Sequence, residues 1–85
     1  MSEIKTFVIA VVAFEDLDNR LFRVNSTSEE EAIRQAVNLF YKDLPDVYSN
    51  PDLQEWLNNL PDDKEELLGE LHQGQISIGI LELIF

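Results

Sequence analysis

Hydrophobic and polar positions change period along this chain in a way that places strands at its two ends and helices between them. Ile4 to Phe14 is apolar on both alternating sets, with Ile4, Val8, Ala10, Val12 and Phe14 on one and Phe7, Ile9, Val11 and Ala13 on the other. A strand apolar on both sides is a central strand whose two faces both need cover. Glu15-Asp16-Leu17-Asp18-Asn19 is a polar connection rich in turn formers, and Arg20 to Asn25 resumes alternation with Phe22 and Val24 pointing one way. Together these segments predict a β-hairpin.

The period then lengthens. Ser28 with Glu31 three residues on forms a capping box, and Glu29, Glu30 and Glu31 sit where a helix dipole is positive. Ile33, Ala36, Val37, Phe40 and Leu44 follow at helical spacing as one apolar stripe, and Leu44-Pro45 predicts its end. Asn50-Pro51 reads as a cap followed by proline at the first helical position, with Leu53, Trp56, Leu57 and Leu60 on a shared face and Pro61 as the break. Asp62 and Glu65 repeat the capping logic for a third helix that turns Leu67, Leu68 and Leu71 inward and ends near Gly74.

Gln75 to Phe85 predicts the last strand, with Ile76, Ile78 and Ile80 alternating against Ser77 and Gly79. After Gly79 the apolar set shifts to Leu81, Leu83 and Phe85, against Glu82 and Ile84, and a β-bulge near Gly79 is the expected cause. The order β-β-α-α-α-β predicts an α+β fold: a three-stranded, mainly antiparallel sheet, first strand central, with short helices packed on one face. Three short helices cover one side only. The other face is expected to meet a second copy or a partner, since leaving it wet exposes an aggregation-prone patch.

Eighty-five residues with 45% apolar content form one domain, residues 1–85, with a single modest core. The absence of cysteine removes disulfides and thiolate chemistry and favours a reducing compartment, the cytoplasm. Lys5 before the run Phe7 to Phe14 imitates a signal peptide, but the run is short, β-branched, preceded by Glu3 and without a small-x-small cleavage pattern. No segment approaches the ~20 apolar residues of a membrane span.

Charge changes the picture most. Between Asp43 and Glu70 nine carboxylates face one cation, Lys64, so this stretch carries −8 of the net −11, while residues 1–42 hold seven acids and five bases. Such a surface repels phosphate backbones and anionic lipid, which argues against direct nucleic-acid or membrane binding and for a basic protein partner.

A search for chemistry finds little. His72 is the only histidine and has no cysteine or nucleophilic serine motif near it, so it reads as a solvated helix-end residue suited to the dipole. Ser26, Ser28, Ser49 and Ser77 fall in caps, a turn and a strand, and Gly69, Gly74 and Gly79 are scattered rather than grouped into a phosphate loop. Asp16-Leu17-Asp18-Asn19-Arg20 begins like a calcium loop, but Arg20, Leu21 and Thr27 stand where an oxygen ligand, glycine and glutamate are required. Asp62-Asp63 and Glu65-Glu66 fit caps and solvated charge better than a metal site. The expectation is a protein that is not an enzyme and uses no cofactor or metal.

Recognition by surface remains. The candidate partner-binding residues are Asp43, Asp46, Tyr48, Asp52, Glu55, Trp56, Asp62, Asp63, Glu65 and Glu66, in a stretch that also holds Tyr41. Carboxylates would speed encounter with a basic groove and the aromatics would supply affinity. Tyr48 is the aromatic least accounted for by packing, whereas Trp56, three residues after Leu53, also fits a core position. The expected function is a small acidic protein-binding module, an inhibitor or nucleic-acid-mimicking partner of a basic nucleic-acid-handling protein, of the size and charge of small phage or mobile-element inhibitors. The alternative is a homodimeric accessory or structural subunit associating through its open sheet face, its acidity serving solubility only.

Overall fold

The computed structural model describes residues 3–14 and 18–83. Its elements are β1 (Lys5–Ala13), β2 (Asp18–Ser26), α1 (Glu29–Lys42), α2 (Pro45–Tyr48), α3 (Pro51–Asn58), α4 (Lys64–Gln73) and β3 (Ile76–Leu83). The sheet is antiparallel in the order β2-β1-β3, so the doubly apolar first strand is central, as its sequence pattern requires. The middle of the expected β1–β2 connection, residues 15–17, lies outside the described residues.

Local signals set the helices. Ser28 Oγ accepts a hydrogen bond from the Glu31 N–H at 3.2 Å, which starts α1. Asn50 Oδ1 accepts from the Asp52 N–H at 2.9 Å, with Pro51 in the first turn of α3. At α4 the cap is shifted by one residue from expectation: Asp63, not Asp62, receives the Glu66 N–H at 3.2 Å. Leu44-Pro45 ends α1, but the same proline also opens the four-residue α2, because a fixed φ suits a first helical turn.

Helices cover one face of the sheet. Phe7, Ile9 and Val11 of β1 are buried against Ile33, Ala36, Val37 and Phe40 of α1, Leu67 and Leu71 of α4, and Ile76 of β3. Arg34 ties the layer together: its Nη2 donates to the Leu60 carbonyl, to the Pro61 carbonyl at 2.9 Å and to Asp62 Oδ1 at 2.8 Å, fixing the α3–α4 connection to α1.

The opposite face is open. It comprises Thr6, Val8, Ala10 and Val12 of β1, flanked by Asn25, Arg23, Leu21 and Asn19 of β2 and by Leu83, Leu81, Gly79 and Ser77 of β3. The β1–β3 register is unbroken from Thr6↔Leu83 to Ala13↔Ile76, so the expected bulge near Gly79 is absent. Leu81 and Leu83 change phase because they belong to this second face, which is itself partly apolar, and Leu21 and Leu81 remain mostly exposed on it.

The α4–β3 junction departs from the usual glycine pattern. Gly74 caps α4 at φ −80°, and the left-handed residue is Gln75 at φ 66°. Gly74 is needed for space: a Cβ there would lie 3.1 Å from Trp56 Cζ2. Gln75→Gly should therefore stabilise the fold by about 1 kcal/mol, and Gly74→Ala should destabilise it by about 1 kcal/mol, in urea titrations followed by Trp56 fluorescence. Arg34→Ala should cost about 1–3 kcal/mol in the same assay by leaving the connection's carbonyls without their donor, and Arg34→Lys should restore only part because an ammonium lacks the planar fork.

Candidate protein-binding face

The acidic stretch runs from Asp43, the C-cap of α1, through all of α2 and α3 and most of α4, a layer that shows its outer surface to solvent. Asp43, Asp46, Asp52, Glu55, Asp62, Asp63, Glu65 and Glu66 are all exposed, and Glu70 is half-buried. Two of these acids are matched by cations from outside the stretch: Arg20 Nη1 meets Asp43 Oδ2 at 2.7 Å, and Arg34 meets Asp62. Lys64, the one cation within the stretch, turns away from its neighbours to Glu29 of α1. Asp46, Asp52, Glu55, Asp63, Glu65, Glu66 and Glu70 are left without an ion pair among the described residues. The negative field is therefore not cancelled inside the fold.

Among the described residues no carboxylate stands on the open sheet face. Of its described positions only Arg23 is charged, and Glu82 of β3 points to the helix side, where Oε1 lies 3.5 Å from Lys5 Nζ. Among the described residues acidity is thus segregated along the sheet normal, on the helical side and not on the opposite one.

The aromatics have internal duties. Tyr48 is half-buried; its hydroxyl donates to Asn38 Oδ1 at 3.2 Å, and its carbonyl accepts from Gln54 Nε2 at 2.6 Å, which ties α2 to α1 and α3. Trp56 is also half-buried, with Nε1–H donating to Glu70 Oε1 at 3.2 Å and its ring edge-on to Tyr41 at 6.4 Å. Packing therefore accounts for both, and neither projects freely as an anchor. His72, in the last turn of α4, is exposed and stands edge-on to Phe14 at 5.7 Å.

What the sequence pattern did not disclose is an apolar recess on this side. A cleft of about 250 Å³ is lined by Ala13, Phe40, Tyr41, Leu44, Val47, Leu53, Gly74, Gln75 and Ile76. Three of those residues follow an exposed carboxylate directly in the chain: Asp43 before Leu44, Asp46 before Val47 and Asp52 before Leu53. No single segment could reveal it, because its walls come from two strands and three helices. A second cleft of about 250 Å³, between α1 and the α3–α4 connection, is lined mainly by polar residues including Glu31, Arg34 and Asn38. Among the described residues no group of three or more histidine, aspartate or glutamate side chains is placed to hold a metal ion.

Among the described residues two groups titrate away from their ordinary values. Burial pushes the Tyr41 hydroxyl above 10.0, and the hydrogen bond and charge of Glu29 hold Lys64 above 10.5. In both cases the folded state favours the protonated form, so the associated stability is present at lower pH and is lost as pH rises through the raised values. Thermal melts should fall as pH rises above ~10, and Tyr41→Phe should reduce that fall while leaving the melt at neutral pH little changed.

Comparison with protein-family models, with curated proteins and with solved structures found no match for this chain.

Proposed function

We propose that this protein is a small non-enzymatic binding module of the cytoplasm whose acidic helical side engages a basic protein, as an inhibitor or nucleic-acid-mimicking partner of a nucleic-acid-handling protein. The observation that carries this reading is the set of seven carboxylates between Asp46 and Glu70 that no described cation neutralises, all on the helical layer. A field of one sign on one side raises the encounter rate with a cationic surface and repels anionic competitors. The lack of cysteine supports a reducing compartment, and no helix among the described residues is long and apolar enough to cross a membrane.

Charge alone gives speed more than affinity, and an apolar contact must accompany it. With Trp56 and Tyr48 engaged internally, that contact falls to the cleft beside Val47 and Leu53, which receives a side chain from the partner instead of inserting one. The partner segment best suited to it carries an aliphatic or aromatic residue flanked by lysine or arginine, matching a recess bordered in sequence by Asp43, Asp46 and Asp52.

Affinity capture followed by mass spectrometry tests this directly. The combined variant Asp46→Asn, Asp52→Asn, Glu55→Gln, Glu65→Gln and Glu66→Gln spares every ion pair seen among the described residues. It should bind the captured basic protein at least ~10-fold more weakly than the native chain, and native binding should fall steeply as salt rises from about 50 to 300 mM. Equal binding by the variant, or capture that is insensitive to salt, overturns the proposal.

A further inference from the structure

We propose that the open sheet face is the interface of a weak homodimer, in which Leu21 of each copy fits the hollow over Ala10 and Gly79 of the other. This inference is independent of the acidic-face reading.

The first observation is Gly79. Glycine inside a strand weakens it unless the backbone needs a special conformation or something must approach closely. Here φ is not positive, the ladder shows no bulge, and a Cβ at this position would meet only the Ala10 Cβ, at an ordinary 3.7 Å. Nothing among the described residues of one copy calls for glycine. A body seated on the open face does.

The second observation is the row to which Gly79 belongs. Leu21, Ala10 and Gly79 lie side by side across the three strands, so a protruding leucine, 73% exposed, stands at one edge and a hollow at the other. A two-fold axis in the interface plane, running along β1, carries each edge onto the opposite edge of the partner copy in the same row. Leu21 then drops over Gly79 of the second copy, and the reverse contact forms by symmetry. The next row obeys the same operation: the Arg23 stem lies over Leu81 of the other copy with its guanidinium free to reach solvent, and Val8 meets Val8. Aligned sheets about 10 Å apart pack in this way.

The third observation is charge. Two copies at −11 each repel, and meeting through this face juxtaposes no carboxylate among the described residues. Stacking the sheets sends the two acidic helical layers outward. Their separation, roughly two sheets and two helix layers, exceeds a Debye length of ~8 Å several-fold at physiological ionic strength.

The size of the face sets the strength. Three strands ~4.8 Å apart and eight paired rows against β3 give a footprint of roughly 400 Å² per copy, about half that of a standard interface. The dimer should therefore dissociate at concentrations of roughly 10–500 µM.

Sedimentation equilibrium and SAXS from about 5 µM to 1 mM read this association. The native chain should pass from monomer to dimer over that range, and added salt should preserve or tighten the dimer, opposite in sign to its effect on capture of a basic protein. Gly79→Leu should abolish dimerisation while leaving the melting temperature equal or higher, because it fills the hollow with a better strand former. Leu21→Asp should abolish it as well. The chain has no cysteine of its own, so a mixture of Leu21→Cys and Gly79→Cys chains should cross-link between the two variants far more than within either. A native chain that stays monomeric at 1 mM overturns the proposal, as does a dimer indifferent to Gly79→Leu or a cross-link formed mainly between like variants.

Discussion

A single layer of helices can shield only one face of a sheet, and in this chain the central strand is apolar on both. Phe7, Ile9 and Val11 take the covered side and are almost wholly buried, while Val8, Ala10 and Val12 are left to the other. Everything else follows from that division. The two flanking strands repeat it: β3 gives Ile76, Ile78 and Ile80 to the core and Leu81 and Leu83 to the open face, and β2 gives Phe22 and Val24 inward and Leu21 outward. Burial of the inner set against α1 and α4 is the main source of stability in so short a chain, since each fully buried large aliphatic or aromatic side chain contributes about 1.5–3 kcal/mol.

Charge is distributed to suit the same division. A net −11 on 85 residues would destabilise a compact chain if the acids were crowded at one point, and the fold places them at helix starts, on α2 and α3, and along the exposed side of α4. Several also serve locally: Asp63 caps α4, Glu70 accepts the Trp56 indole N–H, and Asp62 meets the arginine that holds the α3–α4 connection. These roles use only part of the available negative charge. The remainder faces solvent on the helical layer, and among the described residues the open sheet face carries none. The molecule thus has two unlike sides, one anionic and one nearly neutral, and the two proposals assign them to different partners.

Much of this was legible in the residues. Two-sided hydrophobicity placed β1 in the centre, and Ser28 with Glu31 and Asn50 with Pro51 marked two helix starts, because capping is a contact between residues two or three apart. One residue pattern can have two structural outcomes: Pro45 both ends one helix and starts another, and the phase change after Gly79 reflects a second apolar face and not a bulge, since both faces of the sheet are apolar. Tertiary features were beyond reach: Arg34 grips carbonyls 26 and 27 residues away, Tyr48 reaches back to Asn38, and the cleft beside Val47 is assembled from five elements. For the candidate site, composition gave its sign and position, and only the folded arrangement showed that its aromatics are engaged internally.

The described carboxylates without an ion pair between Asp46 and Glu70 lie on the helical layer and none stands on the open sheet face, a placement that should concentrate negative potential on the helical side. NMR paramagnetic relaxation enhancement with matched cationic and anionic nitroxide probes measures that potential residue by residue on the native chain. The account predicts strong enrichment of the cationic probe at α2, α3 and α4 and near-equal effects of the two probes at the open-face positions of β1 and β3. Equal enrichment of the cationic probe over both sides of the sheet would contradict it.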